Sequence, residues 1–241
     1  MIGLGTLINT AAIAAGGAAG SLFGRLFDVE KQHSLTTACG VSTLFIGVSG
    51  AMQGLLKIEN SALASGRAMF VVLCLTLGAV VGELLGVEAA FERFGAWLKF
   101  KTGNGRDARF VDAFVTASLT VCIGAMAIVG AIQDGLGGDY STLAVKSVLD
   151  FIIIAVMTAS MGRGCAFSAI PVFALEGGMT LLARLIAPLM NTGAVNNLSL
   201  IGSILVFCVG INLVWGKRVR VANMLPALIF AVAVEYLPLA L

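Results

Sequence analysis

The segment 133–150 (QDGLGGDYSTLAVKSVLD) carries ionisable residues into a strongly apolar stretch. Lys146 and Asp150 are four residues apart, so they share one face of a helix and can form an ion pair. With a rise of 1.5 Å per residue, Asp150 would lie about 10 Å inside the hydrocarbon of a membrane. Charges at that depth are costly and face a partner or a cavity. The pair is therefore either a structural contact that docks this helix or part of a path for ions.

Three polar residues precede this pair in a glycine-rich loop, namely Gln133, Asp134 and Asp139. The alternating ligand spacing and the terminal Glu of a calcium-binding loop are missing. We expect this loop to line or gate the outer mouth of a path that leads to Lys146 and Asp150.

Glu176 is a third ionisable residue within an apolar stretch, and it lies between Pro171 and Pro188. Prolines interrupt helices, and broken helices are tolerated in membranes only where protein or a cavity surrounds them. Ser168 is close enough in sequence to supply an oxygen to the same site. The alternative is that Glu176 forms a pair with Arg184.

Asn9 and Asn212 are single amides in apolar segments. Such residues in membrane helices usually form hydrogen bonds to a neighbouring helix. We expect both to do so.

The composition defines the class of protein that positions these groups. Of the 241 residues, 59% are hydrophobic and 12% are charged, and the mean hydropathy is +1.00. Soluble domains are about 25% charged. A soluble protein, a disordered tail and a disulfide-rich scaffold are therefore excluded, and one all-α transmembrane domain is expected over residues 1–241.

A helix needs about 20 apolar residues to cross a bilayer. Eight segments meet this requirement, and a count of seven is the main alternative; the eight are 3–24, 37–56, 68–87, 110–132, 143–162, 165–190, 197–215 and 223–240. The sixth contains the two prolines and is expected to be broken or partly re-entrant.

Basic residues concentrate in the loops that follow the odd-numbered spans. These loops hold eleven of the 15 Lys and Arg residues. The eleven are Arg25, Lys31, Arg93, Lys99, Lys101, Arg106, Arg109, Arg163, Lys217, Arg218 and Arg220. Because short cytoplasmic loops collect Lys and Arg, we expect these loops in the cytoplasm and both termini outside.

Two spans carry glycine at every fourth position, which lets a second helix approach closely. The glycines are Gly16, Gly20 and Gly24 in the first span and Gly78, Gly82 and Gly86 in the third. The partner helix belongs either to a second copy, giving a homo-oligomer, or to the same chain.

The fourth and seventh spans align without a gap, with Gly124 on Gly210 and Gly130 on Gly216. On the eight-span map these spans run in opposite directions. Spans three to five and six to eight are therefore candidates for an inverted repeat, an arrangement typical of transporters.

The connector 88–109 is either an amphipathic surface helix or a solvated linker with aromatic anchors.

Signatures of other classes are absent from the sequence. It has no GxSxG, HExxH, P-loop or dinucleotide-binding motif. The five cysteines are widely spaced and there is one histidine, so neither a zinc site nor a redox motif is expected. The net charge of +2 does not suggest nucleic acid. We expect no enzyme activity, no cofactor and no metal.

The block FVTASLTVCIGAMAIVGAIQDGLGGDYSTLAVKSVLD (114–150), with SAIPV (168–172) and NMLPAL (223–228), resembles the YqgA/YdfK-like family of uncharacterised bacterial inner-membrane proteins (domain of unknown function 554). The resemblance covers the whole chain and implies a multi-pass protein of the bacterial cytoplasmic membrane. It supplies no binding residues. Family members tend to have Gln-Gly after SAIPV, where this chain has Glu176-Gly177.

These observations favour a transporter or channel for a small solute or ion, with the buried Lys, Asp and Glu residues along its path. The alternative is a structural or regulatory membrane protein that forms oligomers through its glycine faces. The partners expected are the lipid bilayer, an unidentified small solute or ion and a second copy of the chain.

Overall fold

The protein is a bundle of helices that pack along most of their length. The computed structural model describes residues 1–24, 28–59, 62–105 and 107–237. The helices of more than eight residues are α1 (Leu4–Phe23), α2 (Val29–Leu55), α3 (Ala68–Leu85), α4 (Val87–Lys101), α5 (Phe110–Cys122), α6 (Ala125–Gly137), α7 (Ser141–Met161), α8 (Ala169–Leu181), α10 (Thr192–Trp215) and α12 (Pro226–Val234). The short helices are α9 (Ala183–Ile186) and α11 (Val221–Met224), and 3₁₀ turns cover Arg163–Ser168 and Ala187–Leu189.

A small hairpin, which the sequence reading did not predict, interrupts this helical architecture. Strands β1 (Leu56–Glu59) and β2 (Ala62–Ser65) are antiparallel, with Leu56 opposite Ser65. The hairpin joins the end of α2 to α3 and leaves the bundle unchanged.

The expected multi-pass membrane architecture is confirmed, but the preferred count of eight spans is not reached. Within the described residues, six helices are long and apolar enough to cross a membrane, and the bent pair α5–α6 makes a seventh if it counts as one span. The last expected span is a shorter apolar helical segment, 221–234, because its helix begins at Val221 and ends at Val234. Its residues 238–240 lie outside the described part of the chain, as do Arg25 and Arg106 of the basic loops.

The sharp bend lies in the fourth expected span, whereas the sixth is one helical span over 163–181 and then divides into α9 and a 3₁₀ turn that contains Pro188. Helices α5 and α6 meet at an angle of 61°, and Gly124 between them has a φ of 151°, which favours glycine. Pro171 falls in the first turn of α8, where its missing N–H costs no helical hydrogen bond. The segment 163–181 is therefore one continuous helical span.

The glycine faces contact helices of the same chain. A methyl group added at Gly16 would lie 2.5 Å from the Phe151 carbonyl oxygen of α7, and one added at Gly20 would lie 2.2 Å from that of Ala155. Gly24 faces Ala159 of α7. On α3, Gly78 faces Ala227 and Gly82 faces Asn223, whereas Gly86 ends the helix with a φ of 62°. Both glycine faces are therefore occupied by helices of the same chain, and the homo-oligomer stays a prediction.

Helix directions place the two polar connectors at opposite ends of the bundle. Helices α1 and α7 are parallel, whereas α2 and α10 are antiparallel. Asp134, before α7, contacts Gly3 at the start of α1. Arg109, before α5, donates to Gln32, which in turn donates to Gly24 at the end of α1. The loops 133–142 and 88–109 are therefore separated by the length of α1, as the loop charges predict.

The connector 88–109 contains the helix α4, which agrees with the helical alternative. Phe94 of α4 packs on Phe114 of α5 with ring centroids 5.8 Å apart, whereas Trp97 and Phe100 are exposed.

The proposed repeat lacks one local correspondence: Gly124 lies at a break, but its aligned partner Gly210 lies inside the continuous helix α10.

Candidate functional site

Three helices bring four polar side chains together in the interior. Asn9 comes from α1, Lys146 and Asp150 from α7, and Glu176 from α8. Their relative exposures are 0%, 6%, 5% and 0%, respectively. We call these four residues the polar centre. The sequence reading named three of its members as path candidates, and the structure places all three in contact.

Lys146 binds both carboxylates and a backbone carbonyl. Its Nζ forms an ion pair with Asp150 Oδ2 and lies 3.7 Å from Glu176 Oε1. It also donates to the carbonyl oxygen of Val121 at 2.9 Å. An ammonium group has three protons to donate; Asp150 and Val121 accept two of them, and Glu176 is within ion-pair distance but beyond hydrogen-bond distance.

Asn9 links the two carboxylates. Its Nδ2 donates to Asp150 Oδ2 at 3.1 Å and to Glu176 Oε1 at 2.8 Å. The expected interhelical role of this amide is confirmed, and its position between two acidic groups goes beyond that expectation. The other amide, Asn212, binds the turn that follows its own helix, through Arg218 and Val219, so the interhelical expectation for it was wrong.

The break between α5 and α6 supplies the carbonyl that Lys146 binds. The last four carbonyl groups of a helix have no partner within that helix. Val121 is in the final turn of α5, so its carbonyl oxygen is free to accept from a side chain. The bend therefore turns a backbone dipole toward the buried ammonium group.

A cavity of about 300 Å³ adjoins the polar centre. Lys146 and Asp150 form part of its wall, together with residues of α2, α5, α6 and α10 and the break at Gly124. Four hydroxyl side chains also line it, from Thr43, Thr120, Ser199 and Ser203. The cavity thus has both charged and neutral oxygens on its surface.

Three of these hydroxyl groups donate their protons to the backbone of their own helix. Thr43 donates to Cys39 at 2.8 Å, Thr120 to Thr116 at 2.8 Å and Ser203 to Ser199 at 2.7 Å. A hydroxyl oxygen has two acceptor lone pairs besides its proton. These oxygens can therefore accept from, or coordinate, a group in the cavity.

Polar contacts between α1 and α8 continue from the polar centre toward the start of α1. Thr6 and Thr180 bind each other at 3.2 Å, one turn from Asn9 and Glu176. Thr180 also donates to the carbonyl oxygen of Ala131 in α6 at 3.1 Å. Helices α1, α6 and α8 are thus held together by hydrogen bonds as well as by packing.

Asp134 does not join the polar centre; it caps α1. Its carboxylate accepts from the N–H groups of Gly3 at 3.1 Å, Gly5 at 2.9 Å and Thr6 at 3.4 Å, and the residue is fully buried. The first N–H groups of a helix are unpaired and carry a partial positive charge, so a carboxylate stabilises them. These hydrogen bonds give Asp134 a structural role at the start of α1. Its role in gating a path stays a prediction.

The other predicted residues also lie outside the polar centre. Gln133 accepts from Thr142 at 2.8 Å on the surface. Asp139 is exposed, and hydrogen bonds from Ser141 hold its pKa below the ordinary value. Ser168 is buried and donates to the Cys165 carbonyl oxygen at 2.7 Å. The pairing of Glu176 with Arg184 was wrong, since Glu176 contacts Asn9 and Lys146 and Arg184 is exposed.

A second cavity, of about 580 Å³, lies at the opposite end of the same four helices α2, α5, α7 and α10. Its wall includes His33, Asp112, Thr116, Ser160 and Asn212. Apolar residues of these helices occupy the intervening positions, including the buried Ala117, Met157 and Val209. The two cavities are thus separated by packed side chains.

At this end Lys217 joins α4 to the segment after α10. Its Nζ lies 2.6 Å from a carboxylate oxygen of Glu88 and 2.5 Å from one of Glu92. Partial burial lowers the pKa of Lys217, but the hydrogen bonds and charges of the two glutamates outweigh this effect and raise the pKa above its ordinary value.

The sequence reading missed the Val121 carbonyl and the cavity hydroxyls. One signal was present, because Asp112, Thr116 and Thr120 recur at intervals of four on a mostly apolar helix. Such a stripe predicts a polar face in the bundle interior. The carbonyl had no signal in the residue types, since it depends on where the helix breaks.

Comparison with known proteins assigns the family but no activity. The family model described as "Protein of unknown function (DUF554)" matches residues 4–236. The chain is 28% identical to the "Uncharacterized membrane protein YdfK" of Bacillus subtilis, over 93% of this chain and 92% of that protein. It is also 28% identical to the "Uncharacterized protein YqgA" of Escherichia coli, over 95% and 94%. No solved structure matches the chain. With apolar helices throughout and a family match over almost its whole length, this multi-pass membrane protein belongs to the DUF554 family.

Proposed function

We propose that the protein transports a small cation across the bacterial cytoplasmic membrane and that the polar centre binds or couples that cation. The observation that carries the proposal is the burial of Lys146, Asp150 and Glu176 in one cluster, of which Lys146 and Asp150 line a cavity. Ionisable residues inside membrane proteins are expensive, and they commonly mark ion paths and proton relays.

The charges favour a cation over an anion. With all three groups ionised, two carboxylates face one ammonium group, so the polar centre has a net charge of −1. A buried uncompensated charge is strongly unfavourable, and a bound cation removes it. Lys146 then balances Asp150, while the cation balances Glu176.

The hydroxyl groups of the cavity also favour a positively charged ligand. The oxygens of Thr43, Thr120 and Ser203 have donated their protons to the backbone, so they offer lone pairs. Such oxygens suit a hydrated or partly dehydrated cation and offer nothing to an anion, which needs donors.

The second cavity suggests how access is controlled. Both cavities are lined by α2, α5, α7 and α10, and packed apolar residues separate them. A path closed at one point is what a carrier or a gated channel needs in its resting state. The break at Gly124 lies at the wall of the first cavity and is the natural hinge.

Flux measurements in liposomes test the proposal. Purified protein is reconstituted, and uptake of rubidium, sodium and protons is measured under an imposed membrane potential. Asp150→Asn removes one charge of the polar centre and keeps its shape, and we expect it to lose most of the flux. Glu92→Gln, which removes an exposed carboxylate, is the matched control and should retain the flux.

The proposal is overturned if wild-type protein carries none of these cations or if D150N carries them as well as wild type. The first result would favour a structural or regulatory membrane protein. Homo-oligomerisation stays a prediction, and it would have to use surfaces other than the glycine faces, which α7 and the α11–α12 segment already occupy.

A further inference from the structure

Two buried oxygen atoms of the polar centre have no hydrogen-bond partner. They are Asn9 Oδ1 and Glu176 Oε2; among the described residues, only Thr158 Oγ1 shares this property. Both residues are fully buried. Because burying an unpaired polar atom costs about 1–3 kcal/mol, two such atoms in adjacent groups call for an explanation.

The two atoms belong to groups that already form one hydrogen bond. Asn9 Nδ2 donates to Glu176 Oε1 at 2.8 Å, so a planar carboxamide and a planar carboxyl group lie against each other. The remaining oxygens are both acceptors when Glu176 is ionised, and neither can satisfy the other. A proton on Glu176 Oε2 makes it a donor, and its natural acceptor is Asn9 Oδ1. The terminal torsions of both side chains are broad, so these groups can rotate to form this second bond.

The charges around Glu176 lead to the same state. The groups that face it are Asn9 from α1, Lys146 and Asp150 from α7, and the Cys122 thiol from α5. Lys146 already has Asp150 and the Val121 carbonyl as partners. With a proton on Glu176, one ammonium group and one carboxylate remain, and the polar centre is neutral without any metal ion.

We propose that Glu176 holds an exchangeable proton, which Asn9 fixes in a carboxyl–carboxamide pair, and that this proton is the cation that the protein moves or uses for coupling. The second part rests on the proposed function, whereas the first does not. On release the Oε2–H bond breaks, the proton leaves to water and the Glu176 carboxylate becomes the second negative charge beside Lys146.

Infrared spectroscopy of the protein in lipid membranes measures the protonation directly. A protonated carboxyl group has a C=O stretching band separate from the bands of carboxylates. We expect this band at neutral pH in wild type, its loss in Glu176→Gln and its retention in the Glu92→Gln control. Titration to alkaline pH should remove the wild-type band reversibly.

The stability of the same variants provides a second measurement that does not depend on transport. Glutamine at position 176 is neutral and can form both bonds with Asn9, so E176Q should unfold at the wild-type temperature at neutral pH. D150N should unfold at a lower temperature, because it leaves the Lys146 ammonium group without its closest carboxylate.

Two results overturn the inference: loss of only a carboxylate band in E176Q, or the absence of a protonated-carboxyl band in wild type at neutral pH. The second result would mean that Glu176 is ionised and that another cation balances it. A protonated Glu176 in a protein that carries no cation would refute the proposed function but leave the proton assignment standing. Flux of a metal cation through a protein whose Glu176 is ionised would refute the proton assignment but leave the proposed function standing.

Discussion

Removal of the buried ammonium group is the sharpest perturbation of the polar centre. In Lys146→Met the apolar stem is kept, while the charge that binds Asp150 and faces Glu176 is lost. Two unit charges 4 Å apart attract each other by about 4 kcal/mol at an effective dielectric constant near 20. The contact between Lys146 and Asp150 is closer than this. Because breaking a buried pair leaves one charge uncompensated, we expect K146M to lower the free energy of unfolding by about 3–5 kcal/mol.

The assay is equilibrium unfolding in mixed micelles, followed by circular dichroism. Lys31→Met is the matched control, since that lysine and its partner Asp28 are both exposed and exposed ion pairs contribute about 0–1 kcal/mol. The double variant K146M/D150L removes both charges and should recover most of the loss, because apolar replacement of a buried pair is often neutral. The loss in K146M should also shrink at acidic pH, where Asp150 takes up a proton.

The reasoning is refuted if K146M unfolds with the same free energy as K31M. It is refuted equally if K146M/D150L loses as much as the two single variants together, since additive losses mean that the two residues do not interact.

Three further predictions concern residues outside the polar centre. Gly20→Ala brings a methyl group to 2.2 Å from the Ala155 carbonyl oxygen and should cost about 1–3 kcal/mol of unfolding free energy, whereas Gly178→Ala, which meets nothing within 4 Å, should gain about 0.5–1 kcal/mol. Asp134→Ala removes the cap of α1 and should cost about 2 kcal/mol, with faster hydrogen exchange confined to the first turn of that helix; exchange unchanged from wild type would contradict the capping role. The raised pKa of Lys217 means that its stabilising contact is complete below the ordinary lysine pKa and is lost as pH rises through the raised value, so wild type and K217M should converge in melting temperature only at strongly alkaline pH.

Local spacing predicts part of the polar centre. Lys146 and Asp150 are an i, i+4 pair on one helix, and this pattern alone places them on a common face. Glu176 stands out because it is a carboxylate in an apolar stretch. Its contact with Asn9, 167 positions earlier, is set by how α1 and α8 pack, and no pattern within either helix encodes that packing.

The break at Gly124 shows why hydropathy misplaces an interruption. The residues CIGAMA (122–127) are apolar and read as continuous helix, because hydropathy does not record φ. The prolines of the sixth expected span led to the opposite error, because they predicted a break where residues 163–181 form one helical span. Pro171 is compatible with a first helical turn, so its presence marks where α8 begins and not where the span breaks.

The close contact between the glycines of α1 and the backbone of α7 limits which parts of the molecule can move. Backbone lies against backbone at Gly16, Gly20 and Gly24, so neither helix can slide or roll without a collision along its whole length. Asn9 on one and Lys146 and Asp150 on the other therefore travel as a single rigid body. A conformational change around these three residues therefore has to occur in the neighbouring helices. The bend at Gly124 lies outside α1 and α7, so it is free to change its angle.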